Sequence, residues 1–261
     1  MKFFRSLNIN QQRCPSELFE EIARLKPEGR RPGMFFLEAK PSDEESARLI
    51  EHIVALCTRR GLQETRNGTL GAYVHRVAPV YEASDLQTAP FLWLATQRKM
   101  FHDVRRDEQG RLLLPASQAN NTVSVASIYP RPWIVVSDAV RQTLLKGNLV
   151  GMLFGEICLK GKSTHASTSP FWELKSSVVL PKMTNSMRRE NDPVPSYKIE
   201  DSYGEPHYAH EDLEQLGLFD LGRTFEEMQT GESWLVVSQR LYGYCLRNDI
   251  PLEARPVRVR G

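Results

Sequence analysis

Cysteine is scarce in this sequence, and the spacings that would give it chemistry are missing. The 261 residues include 4 cysteines, Cys14, Cys57, Cys158 and Cys245, with no CxxC pair among them. That argues against a disulfide framework or a zinc ribbon. Cys57 and Cys245 fall on the apolar faces of predicted helices and read as small core hydrophobes, and no structural metal is expected. No apolar run approaches the roughly 18 residues of a membrane span. The first ten residues carry no long apolar stretch and no small-residue cleavage site, so a cytoplasmic location is expected. An excess of one charge is lacking too: 34 basic residues face 32 acidic ones, which removes the overall electrostatic case for a nucleic-acid or membrane-surface protein. Gly147, Gly151 and Gly155 are spaced by four, unlike a phosphate-binding glycine loop.

What the sequence does contain is one pattern written twice. Trp133-Ile134-Val135-Val136-Ser137, followed by Asp138 to Leu145, is matched by Trp234-Leu235-Val236-Val237-Ser238, followed by Gln239 to Leu246. In both copies a β-branched run reaches a serine and then changes to helical spacing, which predicts a strand entering a capped helix. The register continues with Leu149 against Ile250 and a second extended segment in each copy. The expectation is two strand-helix-strand units, around 133–159 and 234–259, in a mixed-sheet α+β or α/β fold.

Elsewhere, Ser16 to Leu25 has helical spacing behind a serine, and Met34 to Ala39 suits a buried strand. Ser42 and Glu45 suggest a capping box opening a helix that Gly61 stops. Tyr73 to Tyr81 and Phe171 to Leu180 read as strands, and Thr224 to Met228 as a single helical turn. Residues 183–204, rich in Asn, Asp, Pro, Ser and Arg, predict an irregular excursion. The expected division is an N-terminal α/β region, 1–128, and a C-terminal region, 129–261, holding both repeats.

Three features invite chemistry. Ser137 and Ser238 stand where a nucleophile could, but lack the flanking glycines of a G-x-S-x-G elbow and suit N-caps instead. His207 and His210, among Glu205, Glu211 and Asp212, would serve a metal or general acid-base site only on a helical segment, where both would share a face. A solvated acidic loop is the plainer reading. As a surface, the segment combines acids and tyrosines: Tyr197, Glu200, Asp201, Tyr203, Glu205, Tyr208, Glu211, Asp212 and Glu214. Carboxylates steer the approach of a basic partner and aromatic rings anchor it, so these residues form the candidate partner-binding loop.

The stretches Trp133 to Ser137 with the following helix, Phe171-Trp172-Glu173-Leu174, Phe219-Asp220-Leu221, and Val236-Val237-Ser238-Gln239-Arg240-Leu241-Tyr242 with the final Pro256-Val257-Arg258-Val259 cover about half the chain. They resemble bacterial polymorphic-toxin immunity proteins of the double-CxxCG type and related immunity proteins that end in a VVS-helix unit. The paired CxxCG motifs are absent here, so any metal-supported ribbon of those relatives does not carry over. The resemblance implies a non-enzymatic antitoxin without a cofactor, a toxin inhibitor in interbacterial competition. Its partner would be a cognate protein toxin encoded beside it, with neither nucleic acid nor membrane as partner. The alternatives are a small-molecule or metal-dependent enzyme using His207 and His210, and a non-catalytic adaptor.

Overall fold

The computed structural model describes residues 2–65, 71–119, 122–160, 168–188, 197–199, 204–228 and 231–261. The fold is mixed α+β and divides into two compact units, Met1–Glu82 and Ala83–Gly261.

The first unit runs β1 (Lys2–Asn10), α1 (Ser16–Leu25), β2 (Arg30–Arg31), β3 (Met34–Ala39), α2 (Glu44–Arg59) and β4 (Tyr73–Val80). Its sheet has the order β2-β3-β1-β4, with β1 antiparallel to both β3 and β4. Leu7 and Ile9 of β1 alternate toward a core shared with Leu18, Phe19 and Ile22 of α1 and Ile50, Ile53 and Cys57 of α2. The cap of α2 lies one residue beyond the expected Ser42: Asp43 accepts the Ser46 amide at 3.0 Å. A carboxylate is as good a cap as a hydroxyl and also favours the positive end of the helix dipole. Gly61 follows the helix at φ 73°, the left-handed conformation expected of a C-terminal stop. At α1 the cap position is Pro15, with Ser16 already helical.

The second unit begins with α3 (Ala83–Thr88), β5 (Phe91–Leu94), β6 (Met100–Phe101), β7 (Arg105–Arg106), β8 (Leu112–Pro115) and β9 (Val125–Ile128). Then come β10 (Arg131–Ser137), α4 (Asp138–Lys146), β11 (Met152–Lys160), β12 (Thr168–Ser176) and β13 (Val178–Val179). A third stretch holds β14 (Ser186–Arg188), β15 (Tyr197–Ile199), β16 (His207–Ala209), α5 (His210–Gln215) and β17 (Leu221–Arg223). The chain closes with β18 (Leu235–Ser238), α6 (Gln239–Arg247), β19 (Ala254–Pro256) and β20 (Arg258–Arg260). Thr224 to Met228, expected as a helical turn, is bent but not helical; the Thr224 hydroxyl accepts the Trp234 amide and donates to the Glu226 carbonyl, satisfying the backbone locally. The excursion contributes β14 and β15, an antiparallel pair with Met187 opposite Lys198.

Both repeats are strand, helix, strand: β10-α4-β11 and β18-α6-β19. They lie in different sheets, a seven-stranded one ordered β6-β9-β10-β12-β11-β8-β7 and a five-stranded one ordered β13-β17-β18-β5-β19. In each, an antiparallel strand is inserted between the two strands of the repeat, β12 in the first and β5 in the second. An antiparallel strand also flanks the first strand of each repeat, β9 in one case and β17 in the other. The first unit has the same arrangement: β3-α2-β4 is split by β1 and flanked by β2. The fold is therefore built on three split β-α-β modules.

The inserted strand explains why the units divide at residues 82 and 83 and not at 128 and 129. β5, at residues 91–94, lies between β18 and β19 in their sheet, and β9 pairs with β10 across the expected boundary. The two repeats share one core, in which Val140 and Leu144 of α4 join Leu241, Tyr242 and Cys245 of α6 between Val136 and Val237. Val135, on the opposite face of β10, packs with Leu112, Ile157 and Phe171 inside the curl of the seven-stranded sheet.

Candidate protein-binding surface

Asp220 is the point at which the repeats are tied together. It is fully buried, yet every part of its carboxylate is used. Oδ1 accepts the Ser238 hydroxyl at 2.8 Å, and Oδ2 accepts the Val150 amide at 2.8 Å and the Arg240 guanidinium at 3.0 Å. The Ser238 oxygen in turn accepts the Leu241 amide, the cap of α6. Arg240 also reaches the Asn148 carbonyl at 3.0 Å, and the Tyr244 hydroxyl donates to the Thr143 carbonyl of α4 at 2.8 Å. A buried charge with hydrogen-bond partners on both oxygens fixes geometry where an apolar contact would tolerate sliding. Ser137 caps α4 in the same way, accepting the Val140 amide at 3.3 Å. Both serines are thus bound into caps.

The candidate loop is divided by burial. Glu200, Asp201 and Tyr203 lie outside the described residues. Tyr208 is fully buried among Leu180, Met183, Phe219 and Val236, and its hydroxyl has no hydrogen-bond partner among the described residues. Desolvation, and the nearby Glu226 carboxylate after it, push its pKa above the usual phenol range. Glu205 is 2 % exposed and pairs with Arg258 of β20 at 2.6 Å, where β16 and β20 run in parallel. Tyr197 is half-buried in β15. These three residues are structural, and sequence polarity alone did not separate them from the surface acids.

The histidines are parted as well. His207 is buried in β16, whereas His210 opens α5 at the surface and pairs with Glu214 at 2.9 Å. Pairing with β20 keeps the segment extended from His207 to Ala209, so the pair does not share a helical face. Among the described residues no group of three or more His, Cys, Asp or Glu is placed to hold a metal ion.

What remains outside is compact. Glu211 and Glu214 are exposed on α5, and Asp212 is half-exposed beside them. The chain then turns through Leu216, Gly217 at φ 71° and Leu218. Leu218 is 72 % exposed, two residues before buried Asp220, and the backbone pairing of Asp220 with Val150 brings exposed Val150 beside this turn. Exposed aliphatic side chains near Glu211 and Asp212, which make no ion pair among the described residues, mounted on a buried charged anchor, have the make-up of a binding hot spot with an electrostatic rim. Sequence reading found its acids. It missed Leu216 and Leu218, which show no periodicity, and Val150, which is brought near them through Asp220.

No family model matches the chain. No curated protein matches it at a significant level. No helix among the described residues is long and apolar enough to cross a membrane.

Proposed function

We propose that this chain is an immunity protein that binds a cognate bacterial toxin in the cytoplasm and neutralises it by covering its active site or substrate entrance. The observation that carries the reading is the exposed Leu218, in the turn between α5 and the buried Asp220 that also binds the Val150 amide. The acids steer a basic catalytic cleft toward the surface and the leucines are buried when it docks. The VVS-helix units, whose likeness to immunity proteins suggested the function, supply the rigid mount. Rigidity favours tight binding because little conformational freedom is lost on association. A metal-dependent enzyme using His207 and His210 has less support, since one imidazole is buried and the other is salt-bridged at the surface.

The test is co-expression with the toxin encoded beside this chain. Wild-type protein is expected to rescue growth and to co-elute with the toxin, and a Leu218→Asp, Glu211→Lys double variant to fold but lose both. Rescue by the double variant at wild-type levels would remove this surface from the account.

A further inference from the structure

A second site lies at the mouth of the curled seven-stranded sheet, in a cleft of about 260 Å³. Its floor is Glu173 of β12, 3 % exposed, whose carboxylate is held by both terminal nitrogens of Arg106 at 2.7 and 3.0 Å. Arg106 comes from β7, at the far edge of the sheet, and its guanidinium lies 4.4 Å from the ring centre of Trp133 on β10. Desolvation opposes the Arg106 charge, but the Glu173 carboxylate, with a further contribution from Glu232, outweighs it and raises the guanidinium pKa. With Lys175 adding a third contact to Glu173 at 3.2 Å, the floor is closed.

The walls are not. Lys175 has three donors and, among the described residues, one ion pair, with Glu173. Arg223 of β17 is exposed and, among the described residues, makes no ion pair. It is set beside the end of β12 by the bond from the Ser176 hydroxyl to the Leu221 carbonyl, 2.7 Å. Facing these cations, the turn between β17 and β18 carries Glu227 and Glu232, likewise without ion pairs among the described residues, with the turn held by the Met228 amide on the Glu232 carbonyl. Arg223, with no ion pair among the described residues, Lys175, with part of its donor capacity used by Glu173, and the carboxylates of Glu227 and Glu232 line one small cleft. A ligand of single sign attracted to one wall is repelled by the other, whereas a ligand carrying both charges satisfies both. The volume lies below that of a drug-sized pocket and suits a correspondingly small molecule.

We propose that this cleft binds a zwitterion of amino-acid or dipeptide size, with its carboxylate toward Lys175 and Arg223 and its ammonium group toward Glu227 and Glu232. The site is independent of the toxin-binding surface and stands or falls separately.

The experiment is calorimetric titration of the full chain with glycylglycine and a panel of free L-amino acids, with inorganic phosphate and spermidine as single-sign controls. At least one zwitterion is expected to bind, and Arg223→Glu and Glu232→Gln each to weaken it about tenfold or more. Both positions are outside the core, and unchanged melting temperatures would confirm that the variants fold. Absence of binding by every zwitterion up to about 10 mM would overturn the proposal. Equal binding of phosphate or spermidine, or affinity indifferent to both substitutions in folded protein, would overturn it too.

Discussion

The hydroxyl of Ser238 donates to Oδ1 of Asp220 across 2.8 Å while its oxygen accepts the Leu241 amide, so one side chain both caps a helix and completes a buried charge cluster. Asp220→Ala would leave the Val150 amide and the Ser238 hydroxyl without their acceptor and would release Arg240. The expected loss is about 2–4 kcal/mol, measured by urea unfolding.

The two repeat serines provide an internal comparison. Ser137→Ala removes a cap alone and should cost about 1 kcal/mol. Ser238→Ala removes a cap and a buried hydrogen bond to a carboxylate, and should cost about 1–2 kcal/mol more in the same unfolding assay. Equal costs would mean that Asp220 is satisfied without the serine.

The first unit carries a pH-dependent cap. Hydrogen bonds from the Ser46 amide and side chain hold the Asp43 carboxyl below its usual range. Because the folded state favours the ionised form, the stabilisation is complete above the unfolded pKa of about 3.9 and is lost as pH falls through the lower folded value. Asp43→Asn keeps a competent cap and should flatten this part of the acid unfolding profile, followed by circular dichroism from about pH 5 downward.

Burial sorts the thiols. Desolvation pushes Cys57 up to about 11, with Cys14 nearby adding to it, and Cys245 up to about 12. Cys158 is half-exposed on β11. Iodoacetamide should therefore label Cys158 well before Cys57 and Cys245 in folded protein, as read by peptide mass spectrometry. Simultaneous labelling would indicate that the cores open on the time scale of the reaction.

The parts of the fold legible in sequence are those whose signals are local. The β-branched runs ending in Ser137 and Ser238, the apolar stripe of α2 and the stop at Gly61 each follow from neighbouring residues, and each is present. Cys57 and Cys245 are buried in helices, as their spacing indicated. What escaped is non-local. That β5 would slot between β18 and β19, or β1 between β3 and β4, depends on partners far away in the chain. The third module went unseen because its helix, α2, is longer than α4 and α6 and is capped by aspartate rather than serine.

The binding surface was half legible for a related reason. Glu205 and Glu211 look alike in a polar stretch, but β16 pairs with β20 and draws Glu205 onto Arg258, while α5 leaves Glu211 in solvent. Composition reports the acids without reporting which of them a distant strand neutralises.

The most direct measurement of the central claim is affinity capture of the tagged full chain from its native host, with mass spectrometry of the co-eluting protein and growth assayed with and without this chain. The account predicts one tightly bound protein partner that is lethal alone and harmless in company, with capture lost on Leu218→Asp, Glu211→Lys. A partner that binds the double variant as tightly as wild type, or a partner without toxicity, would contradict it.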